Sequence, residues 1–218
     1  MIAFTKHTLA NGLQVIVHED HHQPVVAVNI WYHVGSKNEA PGRSGLAHLF
    51  EHLMFKGAEH QPRGFFQPLQ EAGGSLNGST SADRTNYWVV VPGGATELAL
   101  WMEADRMGWL VPALSVERFE TEREVVLNER RQSYDNRPYG LAHFALSEAI
   151  YPTDHPYHWP TIGYPADLRE ATVDDARAFF LRYYHPANAS LALAGDVEPD
   201  HALSLVRAYF EQIPAGER

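Results

Sequence analysis

The pair Asn11-Gly12 lies between two short runs of alternating character, residues 4–8 and 13–18. An Asn-Gly pair in that setting predicts a β-hairpin whose two turn residues both take positive φ. The N-terminus is thereby committed to a sheet, and later segments extend it. Residues 25–34 (VVAVNIWYHV) are β-branched and aromatic and join the same sheet. Residues 75–92 read as two strands about a turn at Ala82-Asp83, and 190–195 (SLALAG) as a last strand.

Helical patterns fall between the strands. Residues 46–56 place Leu46, Leu49, Phe50 and Leu53 on one side. Residues 63–72 form a shorter helix, interrupted by Pro68 and ended by Gly73-Gly74. Further helices are expected over 96–109, over 116–134 with Ser115 as N-cap, and over 139–150 opened by Pro138. Thr172 caps another that runs to Tyr184, and the last covers 200–212. That order predicts an α+β fold: a two-layer sandwich with a mostly antiparallel sheet and helices packed on one face. The length suits one domain, residues 1–212, without repeats.

Charge and cysteine content narrow the chemistry. The net charge is −10 with no basic stripe, which argues against nucleic-acid binding. No cysteine is present, so a bound metal must be held by histidine and carboxylate. No apolar run approaches the length of a membrane span. The opening residues lack a signal-peptide pattern, which points to the cytoplasm; a periplasmic enzyme shorn of its leader would begin in the same way.

The chemically dense stretch is GLAHLFEHLMFKG, residues 45–57. On a helix, His48 and His52 project about 40° apart, one turn from each other, which suits two imidazoles on one tetrahedral ion. Glu51 lies about 60° to the other side of His48, placed to reach a water as general base and angled away from ligation. The five residues are His-x-x-Glu-His, the zinc-protease motif His-Glu-x-x-His read backwards. A catalytic zinc takes a third protein ligand. In FETEREVVLNER, residues 119–130, Glu122 and Glu129 are two turns apart and share a face with Val125 and Val126. Carboxylates on an apolar face need partners, and a metal is one. Glu120, Glu124 and Arg130 read as a solvated face. Spacing alone does not choose between Glu122 and Glu129.

The chain resembles the catalytic N-terminal domain of the inverted-motif zinc peptidases, the family of pitrilysin, insulin-degrading enzyme and mitochondrial processing peptidase. The ordered matches are LANGLQVIV, GSKNE followed by GRSGLAHLFEHLMFKG, GGSLNGSTSADRTNYW, EADRMGWLVPAL, FETEREVVLNER, HPYHWPTIG and LALAGDV. The resemblance implies one Zn2+ held by His48, His52 and Glu129, with Glu51 as general base and Glu122 supporting the site from behind. It implies that Asn77 contacts substrate, and that the strand around 76–81 takes up a peptide as an added β-strand. Two positions depart from the family pattern: Asn77-Gly78 stands for Asn-Ala, and Gly57-Ala58 for Gly-Thr. Tyr157, His158 and Trp159 read equally as a packed loop and as functional.

The same resemblance implies a zinc-dependent endopeptidase that works with a second, similar domain or subunit, or as a homodimer. Residues 213–218 would then open an interdomain linker, with the second domain absent from this sequence. The competing expectations are a non-catalytic assembly subunit of the same fold and a hydrolase of small molecules. Such subunits lose parts of the motif, whereas His48, Glu51, His52 and Glu129 are all present here.

Overall fold

The computed structural model describes residues 2–216; the end of the expected linker, 217–218, lies outside them. In chain order the elements are β1 (Thr5–Thr8), β2 (Gln14–Glu19), β3 (Val25–Tyr32), α1 (Leu46–Met54) and α2 (Phe66–Glu71). Then come β4 (Ser75–Thr80), β5 (Thr85–Pro92), α3 (Thr96–Ala113), α4 (Val116–Arg130) and α5 (Ala142–Ile150). The chain ends with α6 (Pro165–Glu170), α7 (Val173–Tyr183), β6 (Ala189–Gly195) and α8 (Pro199–Phe210). Among the described residues, no helix is long and apolar enough to cross a membrane.

The six strands form one sheet in the order β1-β2-β6-β3-β5-β4. Every neighbouring pair is antiparallel except β2 with β6, which runs parallel. The period of two along each strand sorts the side chains. Val15 and Val17 of β2, Val28 and Ile30 of β3, Tyr87 and Val89 of β5, and Leu191 and Leu193 of β6 are buried on one face. Helices α1, α3 and α8 pack against the sheet and contribute Phe50, Leu53, Leu100, Met107, Val206 and Phe210 to the same core. The mixed fold read from the sequence is the fold found. Its edge strand β4 lies beside α1, and that neighbourhood holds the candidate site.

Local chemistry differs from expectation at several places. The β1–β2 hairpin forms, but only Gly12 of the Asn-Gly pair has positive φ, at 89°. The loop closes through Gly12 N–H to Leu9 O and Leu9 N–H to Leu13 O. Asn11 serves another purpose: it is buried, and its amide donates to Phe210 O (2.7 Å) and Ile213 O (3.0 Å), tying the hairpin to the end of α8. Pro138 does not open a helix. It sits second in a turn closed by Gly140 N–H to Arg137 O, with Tyr139 third at φ 59°, a position type II turns require to be left-handed. The chain before it leaves α4 through a π-helical turn, Arg131–Asp135, and α5 begins only at Ala142.

On α4, Val126 is buried but Val125 is 40% exposed, so the apolar face is narrower than the spacing suggested. Arg130, expected in solvent, is buried and donates to Gly163 O at 2.6 Å. The short helix α6, headed by Pro165, was not anticipated; six residues carry too little periodicity to show.

Candidate metal centre

Helix α1 exists because Leu46, Leu49, Phe50, Leu53 and Met54 all bury into the core. Its N-terminus has no local cap, since Gly45 at φ 95° offers no side chain. The buried carboxylate of Glu39 supplies one from six residues upstream, accepting from Gly45 N–H (3.0 Å) and Ala47 N–H (2.8 Å). A second clamp comes from the loop before α6. Gly163 packs so tightly on Gly45 that an added Cβ would lie 2.5 Å from the Gly45 Cα, and Gly163 O holds Arg130. The start of α1 and the end of α4 are thus fixed through one shared glycine.

With the apolar side of α1 turned inward, His48, Glu51 and His52 fall beside α4 and β4. His52 Nε2 lies 3.2 Å from Glu129 Oε2, and His48 Nε2 lies 3.8 Å from the same oxygen. The two imidazole rings are 4.9 Å apart, edge to face. One donor atom from each of His48, His52 and Glu129 lies within 4.8 Å of the others, which fits a single divalent cation held by two imidazoles and a carboxylate. Among the described residues, His48 Nδ1 is buried without a hydrogen-bond partner, which leaves both nitrogens of that ring free of competing bonds.

Glu122 occupies the opposite side of His52. Its Oε2 is 3.8 Å from His52 Nδ1, and its Oε1 is 3.0 Å from Lys56 Nζ. Glu129 therefore addresses Nε2 and Glu122 addresses Nδ1 of one imidazole. At 3.8 Å no hydrogen bond joins Glu122 to the ring, and its Oε2 is buried without a hydrogen-bond partner among the described residues; the carboxylate faces the ring nitrogen that points away from Glu129.

Burial sets the protonation of this cluster. Loss of hydration, followed by the neighbouring His52, pushes His48 down to about 4, so its imidazole is neutral at pH 7, the form that ligates. The hydrogen bond with His52, reinforced by the charges of His48 and His52, holds Glu129 below the usual carboxylate range. Glu51 moves the other way: burial raises it, against a hydrogen bond from Thr80 and the charge of His52. Two neighbouring carboxyls pushed apart suit them to different roles, one anionic and one able to take a proton.

Thr80, the last residue of β4, donates from Oγ1 to Glu51 Oε2 at 2.5 Å. Like Glu39 and Lys56, it was missed in the sequence. For Glu39 a signal existed: Gly45 cannot cap a helix with a side chain, so a carboxylate had to come from elsewhere. For Thr80 none existed, because it meets Glu51 only when the edge strand lies against α1. Asn77, on the same strand, is not joined to the metal cluster by any hydrogen bond among the described residues. It pairs with Trp88 across the sheet, and its Oδ1 accepts from Gly78 N–H. The glycine at 78 has a local reason, since a Cβ there would lie 3.0 Å from the rings of Phe55 and Tyr87. Beside the end of β4 lies a cleft of about 470 Å3, lined by Thr80, Ser81, Tyr134, Phe144, Tyr157 and Trp159 among others. Trp159 is buried and donates to Ser36 O, and Tyr157 donates to Asp83 at the β4–β5 turn. His158 donates from Nδ1 to Tyr151 O at 2.8 Å.

Residues 14–157 match the family model described as Insulinase (Peptidase family M16), and residues 170–218 match one described as Peptidase M16 inactive domain. The chain is 38% identical over 208 residues to the zinc protease PqqE of Helicobacter pylori, across 94% of this chain and 46% of that protein. A crystal structure of a protease from Helicobacter pylori superposes with a TM-score of 0.92 at 36% identity, covering 98% of this chain and 51% of that one. Pitrilysin shares the fold, with a TM-score of 0.85 at 23% identity over 97% of this chain and 23% of its own. The chain spans about half the length of the curated relatives it matches. The insulinase match runs unbroken through α1, β4 and α4, the three elements that carry the clustered histidines and carboxylates, and the chain belongs to peptidase family M16, the insulinase family.

Proposed function

We propose that this chain is the metal-bearing half of a zinc-dependent endopeptidase. The observation that carries the reading is the meeting of His48, His52 and Glu129 at donor distances that fit one ion, with the carboxyl of Glu51 on the same helix. A zinc ion held there would supply Lewis-acid polarisation of a peptide carbonyl and of a water. The remaining steps belong to the chain. Glu51 takes the water's proton at Oε1, the oxygen that Thr80 leaves free, and passes it to the leaving amine. Glu122 stands behind the His52 ring, its Oε2 facing Nδ1 from 3.8 Å, and supports that histidine electrostatically. Strand β4, at the edge of the sheet, accepts the peptide backbone as an added strand, with Asn77 as a substrate contact. Main-chain pairing reads extended backbone rather than side-chain identity, so unstructured peptides are the substrate class.

This chain supplies one wall of the site, and the relatives it matches are about twice as long. A second domain or subunit of similar fold would close over β4 and α1 and complete substrate binding. The test is Glu51→Gln. The variant is expected to bind zinc as the parent does, by metal analysis after dialysis, and to lose peptide cleavage by at least about a hundredfold, the lower end of a general base's contribution. Cleavage that survives the substitution would overturn the assignment of the base.

A further inference from the structure

We infer that Thr80 is a positioning residue for the reaction: its hydroxyl locks the carboxyl of Glu51 through Oε2 and leaves Oε1 free of hydrogen bonds to take the proton. The inference deepens the peptidase reading and rests on it.

Three observations support it. First, the only hydrogen bond made by the Glu51 side chain among the described residues is the 2.5 Å one from Thr80 Oγ1. A carboxyl on a short helix otherwise turns about its last torsion, which is broad for glutamate. Second, Thr80 is itself held hard. It pairs with Thr85, whose own hydroxyl is buried and bonded to Val34 O at 3.0 Å. The next residue is pinned from both sides, Ser81 N–H to Arg84 O (2.9 Å) and Ser36 N–H to Ser81 O (3.1 Å). Threonine is stiff at χ1, so a fixed backbone fixes the hydroxyl. Third, Thr80 ends the edge strand proposed to receive substrate and also lines the adjoining cleft. One residue therefore connects the substrate's backbone register to the orientation of the base. A shift of about 1 Å in a reacting group costs on the order of a hundredfold in rate. The side chain that sets the Glu51 carboxyl plane therefore governs turnover while leaving the ion's three ligands untouched.

The test uses the full natural chain and three variants: Thr80→Val, which removes the hydroxyl at nearly constant shape, Thr80→Ser, which keeps it, and Thr80→Ala, which serves where the valine variant does not fold. Expected for Thr80→Val is a fall in kcat of about tenfold to a hundredfold. KM and zinc affinity are expected within about threefold of the parent, and Thr80→Ser is expected to recover most of the rate. A crystal structure of metal-free Thr80→Val is expected to show the Glu51 carboxyl turned away from its parental plane. An unchanged kcat, an equal loss in the serine variant, a parallel loss of zinc affinity, or an unmoved carboxyl in the variant crystal would each overturn the role. If the parent protein cleaves no peptide at all, the peptidase reading fails, and the crystallographic comparison alone still decides whether Thr80 holds Glu51.

Discussion

Glu122 and Glu129 look alike on the sequence: two glutamates, two helical turns apart, on one partly apolar face. The folded chain separates them through His52, whose Nε2 faces Glu129 and whose Nδ1 faces Glu122. Their substitutions should differ accordingly. Glu129→Gln removes a donor from the proposed set and is expected to abolish tight zinc binding, as read by competition with a chelating dye. Glu122→Gln leaves all three donors in place and is expected to weaken zinc binding or activity by about tenfold to a hundredfold. A reversed ranking would exchange the two roles. The histidines and Glu51 could be read from spacing alone because one helix carries all three, and helical geometry is local. Thr80 could not, since it lies 29 residues from Glu51 and meets it only through tertiary packing.

At the scale of elements, α1 shows how a helix without a local cap is kept in register. Glu39 satisfies two of its terminal N–H groups. Glu39→Gln keeps the shape but offers one acceptor oxygen to two donors. Leaving a buried N–H unpaired costs about 1–3 kcal/mol, so the variant is expected to unfold at lower denaturant concentration. The difference should depend on pH. Burial pushes the Glu39 carboxyl up to about 8, against the pull of the Ala47 and Gly45 N–H groups. Between the ordinary carboxylate range and about 8, the native state holds a proton that the unfolded chain releases, so native stability falls as pH rises through that window. The glutamine has no such proton, and the gap between parent and variant is expected to narrow from pH 5 to pH 8. A gap that stays constant would show that Glu39 is an anion throughout that range. Elements with caps and long periodicity were legible in advance. Ser115 caps α4 by accepting from Arg118 N–H, and Thr172 and Asp175 cap α7 reciprocally. Pro138 was misread because proline suits both the first turn of a helix and the second position of a tight turn, and only the chain around it decides.

At the scale of the molecule, β6 lies between β2 and β3, so the last strand joins the first hairpin to the rest of the sheet. Asn11 strengthens that closure by holding the end of α8. The ligands of the proposed ion come from two helices separated in sequence, so zinc should stabilise the folded chain as a whole. At a hundredfold excess over its Kd, zinc is expected to add about 2.7 kcal/mol, seen as a rise in Tm that a chelator reverses. Under the proposed function, peptide cleavage by this chain alone is expected to be far slower than in the presence of a second domain or subunit of similar fold, which would supply the other wall of the substrate site. Equal rates would show that the single sheet suffices.

Periodicity and capping in the sequence by themselves determined the strands, most of the helices, the α+β class and the His48, Glu51, His52 triplet. Each of these depends on residues within a few positions of one another, where φ/ψ preference and helical spacing act directly. Tertiary structure alone decided which glutamate faces which nitrogen of His52, that Glu39 caps α1, that Asn11 reaches across to α8, and that Thr80 holds Glu51. Those contacts join residues distant along the chain, and their partners are set by how the sheet and helices pack, which no local pattern encodes.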